Sequence, residues 1–297
     1  MLSLHTNAAA LSAQNSISRT QSSLSTSMTR LSTGFRINSA MDDAAGLQIA
    51  TRLKTQTSGM NVAMRNTQNS ISLMQTSEGA LDETTNILNR MKDLATQAAD
   101  GSSTPADQTA MQKEYDSLTD ELSNIFNNTK FGGTTLLQNL ATGASPGKLS
   151  SAITFQIGAS SGEKLTADFT TELTNASAKI LAASVGFKDD GTAGAAAGAE
   201  ISTSAAANGA IDKLATAIDA VGALRSKLGA VSNRLDHVYN NLSNISTNTK
   251  NATGRIMDVD FAGESAQMTS SQMLLQAGTA MLKQSNSQSS LVMSLLQ

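Results

Sequence analysis

Between Ala44 and Ala99 the apolar and small positions step by four and three: Met60, Met64, Thr67, Ile71, Met74, Glu78, Leu81, Thr85, Leu88. This spacing predicts a helix that keeps one seam turned towards a partner helix. The stretch holds no proline and no aromatic ring, and at ~1.5 Å per residue the predicted rod is about 80 Å long. Thr67, Glu78 and Thr85 occupy inward steps, so the seam is imperfect and the rod depends on packing for its stability. A partner is predicted from Ser204 to Lys250. There Val221, Leu224, Leu228, Val231, Leu235, Val238, Leu242 and Ile245 alternate steps of three and four without a break.

The remaining chain fits around these two rods. Residues 1–34 read as a first helix, with Leu24, Met28, Leu31 and Phe35 at the same spacing and Gly34 as its stop. Ser39, Asp42 and Asp43 supply capping oxygens where the long helix begins. The long helix ends near Asp100-Gly101. After it, Thr104 is an N-cap with Pro105 at the first helical position, opening a helix to about Phe126. That helix carries Met111, Tyr115, Leu118, Leu122 and Ile125 on one face.

Ile153, Phe155 and Ile157 alternate with polar residues, as do Leu165, Ala167 and Phe169 beyond a Gly/Ser turn, which predicts a β-hairpin. Thr171 to Val185 reads as a short helix, and residues 189–200 (DDGTAGAAAGAE) as a low-complexity loop. The fold class is therefore mainly α: a long antiparallel coiled-coil-like helical bundle formed by N- and C-terminal segments, with a small β-hairpin region at the far end. Its expected parts are residues 1–43 with 256–297 as a terminal-helix domain, and 44–186 with 203–255 as a helical rod domain. The latter holds the hairpin region at about 134–170, and 187–202 is a short variable loop.

The two ends differ from the rest in charge. Before Arg30 the only formally charged side chain is Arg19, and from Ser265 to Gln297 it is Lys283. Met268, Leu275, Leu282, Val292 and Leu296 lie near one face of the last stretch, among Ser, Gln and Thr. Such ends bury little within one molecule. Two compatible readings follow: tails that are disordered in isolation, and helices that pack on copies of themselves, where few like charges oppose association.

Composition narrows the function. The net charge of -3 predicts no attraction to nucleic acid or to an acidic membrane surface. With no cysteine there is no disulfide, no thiolate nucleophile and no cysteine metal site. The first residues lack a charged segment followed by an apolar core, so no Sec-type signal peptide is expected, and no apolar run suggests a transmembrane helix. Aromatic residues make up only 3% of the chain, which favours extended helical packing over a bulky globular core.

Catalytic chemistry finds little support. Gly158-Ala159-Ser160-Ser161-Gly162 matches a nucleophile-elbow pattern, but an alternating segment follows where a helix is required, so a hairpin turn is the better reading. His5 and His237 have no second metal ligand at helical spacing. Asp258 and Asp260, two apart, face away from each other on a helix and read as capping or solvated groups. Sequons at Asn127, Asn175, Asn241, Asn244 and Asn251 are short motifs that arise readily by chance. No phosphate loop or dinucleotide fingerprint is present. No enzyme activity, cofactor or metal is expected.

Residues 29–50, TRLSTGFRINSAMDDAAGLQIA, resemble a distinctive segment of bacterial flagellins. The resemblance continues through ATRLKTQTSGM, NTQNSISLMQTSEGALDE and LNRMKDLA, then LRSKLGAVSNR, GRIMDVDFA, MLLQAGTAML and the closing SLLQ, covering roughly residues 1–135 and 205–297. It implies a subunit exported unfolded by the flagellar type III apparatus, with an export chaperone, to an extracellular filament growing beneath a cap. The implied partners are other copies of the chain, the filament cap and hook-associated proteins.

The terminal helices, through Leu24, Met28, Leu31, Met268, Leu275, Leu282, Val292 and Leu296, would then form the filament core, and the rods its shell. Only Phe187 to about Ser202 stands where larger flagellins insert outer domains, which implies a minimal form. Residues 29–50 also resemble an epitope sensed by a plant receptor kinase, with Thr29, Phe35 and Met41 where the usual pattern has Gln, Ser and Lys. Asn89, Arg90, Asp93, Leu94 and Glu114 resemble the surface bound by Toll-like receptor 5, an outer face that would also meet neighbouring subunits. The nearest alternative is a hook–filament junction protein, which shares such terminal helices but would assemble only as a short ring. An intracellular coiled-coil signalling module is more distant, because it has no need of charge-poor ends.

Overall fold

In the computed structural model, residues 7–139, 146–190 and 198–295 are described, with side chains to residue 288. Six helices carry the chain: α1 Ala8–Thr33, α2 Ala44–Ala99, α3 Pro105–Asn128, α4 Thr170–Ala183, α5 Ser204–Met257 and α6 Phe261–Leu295. Four short strands join them: β1 Lys130–Phe131, β2 Thr134–Thr135, β3 Ile153–Gln156 and β4 Lys164–Ala167. The chain divides into two compact units, residues 1–57 with 247–297 and residues 58–246. The division falls inside α2 and α5, whereas the boundaries expected from the sequence, 43/44 and 255/256, sit close to helix ends.

In the unit of residues 58–246, α2 and α5 pair antiparallel. Ser204 Oγ donates to the Ala99 carbonyl at 2.6 Å near one end, and Asn61 meets Ser246 near the other. Met60, Ile71, Met74, Leu81 and Leu88 of α2 are buried, as are Val221, Leu224, Leu228, Leu235 and Leu242 of α5. Val231 is half-buried against the main core, and Met64 and Val238 are half-buried against a separate small cluster of Met60, Ala63 and Leu242.

The polar residues at inward steps are satisfied locally. The Thr67 hydroxyl donates to the Ala63 carbonyl at 2.8 Å, and Ser77, Thr84 and Thr85 donate to carbonyls one turn back. A buried hydroxyl that is hydrogen-bonded avoids most of the desolvation penalty. Glu78 is answered from the facing helix: Arg225 Nε and Nη2 lie 2.9 and 2.8 Å from its Oε1, and Nη2 also lies 2.9 Å from Asp82 Oδ1.

Ile245 departs from the expected seam. It is 39% exposed, while Ser246 is buried. The step after Leu242 is four rather than three, and the helix phase turns the isoleucine outward.

A second layer covers the other side of α2. A capping box starts α3: the Thr104 hydroxyl accepts from Asp107 N–H, Asp107 accepts from Thr104 N–H, and Pro105 fills the first turn. Gln108 Nε2 reaches the Ala98 carbonyl, so α3 runs antiparallel to α2. Its buried face is Met111, Tyr115, Leu122 and Phe126 with Thr119 and Ser123, while Leu118 and Ile125 are only partly covered.

Strands β3 and β4 pair Ile153 with Ala167 and Phe155 with Leu165, turning these four side chains to the core. The Gly158–Gly162 segment is their connecting loop and not an elbow leading into a helix. At that loop Ala159 lies so near α2 that a Cβ on Gly59 would come within 2.7 Å of the Ala159 Cβ. Lys227 of α5 pairs with Glu172 of α4 at 2.6 Å and stands 6.0 Å from the Phe169 ring centre.

The loop from Phe187 is held at both described roots. The Phe187 ring meets Phe126 edge-on at 5.1 Å, and Ser123 accepts from Lys188 N–H. On the return, Gln112 accepts from Ile201 N–H, while Glu200 accepts from Val185 N–H and from Gln112 Nε2. Tyr115 donates to the Ala183 carbonyl beneath this network, and burial first, then Glu200 and Asp116, pushes its phenol pKa up. Residues 191–197 lie outside the described residues.

Candidate assembly surface

The unit of residues 1–57 and 247–297 is built on α1 and α6. Asn7 caps α1 by accepting from Ala10 N–H, and the same side chain donates to the Ser285 carbonyl at 3.2 Å. At the opposite end Arg30 stands 3.7 Å from Glu264. The two helices are therefore antiparallel.

Covered positions recur at heptad spacing on both: Ile17, Leu24, Ser27 and Leu31 on α1, and Met268, Ser271, Leu275 and Leu282 on α6. A Cβ on Gly278 would lie 2.9 Å from Ile17 Cγ1, so this glycine permits a close helix approach. Ser27 and Ser271 are fully buried where leucine would be expected. The seam thus holds little apolar volume, and its contribution is correspondingly small.

The links beyond these helices pair with each other. Gly34 ends α1 in the left-handed region at φ 76°, its N–H bonded to the Arg30 carbonyl. The Gly34 carbonyl accepts from Val259 N–H, Arg36 N–H donates to Met257 at 2.6 Å, and Arg36 Nη2 donates to the Ile256 carbonyl. Phe35 and Asp258 form a single β-bridge.

Asp42 accepts from the N–H groups of Ser39 and Asn38, and those backbone bonds hold its pKa below the usual carboxylate range. Asp43, not Asp42, caps α2, through Gly46 N–H at 2.8 Å. Asp258 and Asp260 do not lie on a continuous helix. The chain leaves α5 at Asp258, and Asp260 accepts from Ala262 and Gly263 N–H to start α6.

On α1 before Arg30 and on α6 from Ser265 the open surface is mainly Ser, Thr, Asn and Gln with very few charges, and large apolar side chains stand out from it and from the links. Leu11, Met28, Phe35, Met41, Ile49, Phe261, Met273, Leu274 and Met281 are all exposed. Of the residues expected to carry self-association, Leu24, Leu31, Met268, Leu275 and Leu282 are half-buried at the α1–α6 seam positions, and Met28 is open. Val292 and Leu296 lie outside the described side chains. Leu11, Met273, Leu274 and Met281 are absent from the sequence reading because they fall off its seam. Their signal on α6 is the seven-residue spacing of Leu274 and Met281, which puts these two on one face away from the seam.

The other expected surface is partly dismantled. Arg90 and Glu114 meet in an exposed pair, with Arg90 Nε and Nη2 at 3.0 and 2.6 Å from Glu114 Oε1, and Asn89 and Asp93 are exposed beside them. Leu94 is not part of an outer face. It is 2% exposed and belongs to the core. The four residues from Arg90 to Leu94 advance the side-chain direction by ~40° beyond a full turn, which takes Leu94 into the core and leaves Arg90 at its rim.

Among the described residues no group of histidine and carboxylate side chains could hold a metal, and no helix is long and apolar enough to cross a membrane. What the geometry offers is helix surface with few charges, suited to packing against other helices.

These features define a mainly α-helical protein with a small β-hairpin region. Residues 4–142 match the family model for the bacterial flagellin N-terminal helical region, and residues 211–296 match that for the C-terminal helical region. The chain belongs to the bacterial flagellin family.

Polar flagellin F of Vibrio parahaemolyticus is 51% identical over 162 residues, covering 54% of this chain and 41% of that one. The chain thus spans about two fifths of such a relative's length. A crystal structure of Bacillus cereus flagellin has 34% identity, covers 60% of this chain and 88% of that one, and superposes with a TM-score of 0.47. A Vibrio parahaemolyticus structure described as a flagellar hook-associated protein has a TM-score of 0.56 at 17% identity, over 73% of this chain and all of that one. That last likeness is one of fold alone.

Proposed function

We propose that this protein is a structural subunit that polymerises into an extracellular flagellar filament serving motility, and that it performs no catalysis. The observation that carries the reading is the terminal helix pair. It has a thin seam, exposed Leu11, Met28, Met273, Leu274 and Met281, and almost no charge to oppose contact between copies. In this reading α1 and α6 form the filament core and the unit of residues 58–246 surrounds it, with the loop at 187–202 in place of an outer domain. Export through the flagellar type III apparatus with a chaperone, and growth beneath a cap next to hook-associated proteins, belong to the same proposal.

The test is electron microscopy of purified protein seeded with filament fragments. Long helical filaments are expected from the whole chain, and none after deletion of residues 1–30 or 265–297. A truncated chain that still polymerised would overturn the assignment of the ends.

The Arg90–Glu114 pair, with Asn89 and Asp93, supports recognition of the monomer by Toll-like receptor 5. Leu94 is buried and takes no part in this surface. Arg90→Ala should weaken signalling in a receptor reporter cell, and unchanged signalling would count against it.

A further inference from the structure

The methionines of this protein are sorted between its two compact units. In residues 58–246, Met60, Met74, Met91 and Met111 are buried in the core and Met64 is half-buried against it. In residues 1–57 and 247–297 four methionines stand open: Met28 at 56%, Met41 at 96%, Met273 at 60% and Met281 at 70% exposure. These are all the exposed methionines among the described residues.

A thioether reacts with peroxides according to its access to solvent, and conversion to the sulfoxide replaces an apolar, flexible contact with a polar one. The chain has no cysteine, so no thiol of its own competes for the oxidant. No carboxylate lies near Met273 and Met281 in sequence, since from Ser265 onward there is none, and Met28 lies in a helix whose charges are Arg19 and Arg30; Met41 is followed by Asp42 and Asp43 but is almost fully open.

We propose that Met28, Met41, Met273 and Met281 form an oxidant-sensitive switch on assembly: the free subunit loses polymerisation competence when peroxide converts them to sulfoxides, and the subunit already in a filament is protected. The inference rests on the filament reading above. In each event the methionine sulfur attacks one oxygen of hydrogen peroxide. The S–O bond forms as the O–O bond breaks, and the proton on the transferred oxygen passes to the departing hydroxide, which leaves as water. Sulfur loses two electrons and the peroxide gains them.

The rod's core methionines are out of reach, so its fold survives the treatment. What changes is the open surface of the terminal helices and, at Met41, of the link between α1 and α2, where an added oxygen must be desolvated each time a copy docks. Methionine sulfoxide reductase, which acts on accessible sulfoxides, reverses the change.

The test treats the monomer and sheared filaments with graded hydrogen peroxide. Each added oxygen is then located by peptide mass spectrometry, and seeded elongation is followed by light scattering. In the monomer the four sulfoxides should appear before any at Met60, Met74, Met91 or Met111, and the concentration needed for elongation should rise about tenfold or more. In filaments Met28, Met41, Met273 and Met281 should oxidise more slowly. A variant with Met28→Leu, Met41→Leu, Met273→Leu and Met281→Leu should elongate equally well before and after peroxide, and reductase treatment should restore the oxidised native chain.

The switch is overturned if the oxidised native chain elongates normally, if the leucine variant loses elongation as the native chain does, or if reductase removes the sulfoxides without restoring growth. If the untreated chain does not elongate seeds at all, the filament reading fails first and the switch falls with it.

Discussion

Arg225 holds Glu78 across the α2–α5 seam, with its Nε and Nη2 2.9 and 2.8 Å from one carboxylate oxygen. Glu78 occupies an inward step that packing alone would give to leucine. The bound guanidinium explains why a carboxylate is tolerated there, and the Glu78 hydrogen bond, with charge from Glu78 and Asp82, raises the Arg225 pKa. Arg225→Ala leaves Glu78 and Asp82 as unpaired like charges beside an apolar seam. It should lower the stability of residues 58–246 by about 1–2 kcal/mol. A double-mutant cycle with Glu78→Ala in urea denaturation should give a positive coupling, and strict additivity would remove the pair from the account.

Core truncation should separate the two compact units. Leu88 is fully buried in the larger one, and Leu88→Ala should destabilise it by about 2–5 kcal/mol. Leu275 belongs to the other unit and is half-buried, so Leu275→Ala should leave that urea transition where it is and impair filament elongation. A shared loss of stability from both would show that the helices unfold as one body.

The start of α3 depends on its capping box. Thr104→Ala removes the acceptor for Asp107 N–H and should destabilise the same unit by about 1 kcal/mol, measurable as a shift of the urea midpoint at constant slope.

Acid should weaken the fold in a defined direction. Asp107 is held low by the Thr104 hydroxyl, Asp168 by Thr170, Glu172 by Lys227 and Asp42 by backbone N–H groups of Ser39 and Asn38. A carboxylate with a depressed folded pKa contributes stability that is complete above its unfolded pKa and is lost as pH falls through the folded value. Denaturation midpoints should therefore hold steady above about pH 5 and fall progressively below about pH 4. Asp189, pushed up chiefly by burial, acts in the opposite sense and softens the decline. A midpoint that rose on acidification would contradict these assignments.

The rods are legible in the sequence because a seam repeated over many turns leaves a strong period. The buried residues of α2 and α5 follow it almost throughout. The hairpin is legible for the same reason at period two. Ile87, Met91 and Leu94 are less so, because α2 is covered on a second side by α3 and a single-seam reading sends their faces to solvent. Ile245 fails because the helix phase gives the inward step to Ser246, whose hydroxyl lies 3.5 Å from Asn61 Oδ1.

The assembly surface is the hardest part to read. Its charge poverty is visible along the chain, and the helical spacing picks out Leu24 and Leu275 but not Leu11 and Leu274, whose places are decided only when α1 and α6 are paired. Once they are, the first two sit at the seam and the second two remain open.

The most direct measurement places a charge on that open face. Leu274 is exposed within its own chain, so Leu274→Glu should leave the circular dichroism spectrum and the urea transition of the rod unchanged. Burying the new carboxylate between copies would be strongly unfavourable. Seeded growth followed by electron microscopy should therefore show filaments from the native chain and none from the variant. Filaments of normal length and number from Leu274→Glu would contradict the claim that the open faces of the terminal helices make this chain polymerise.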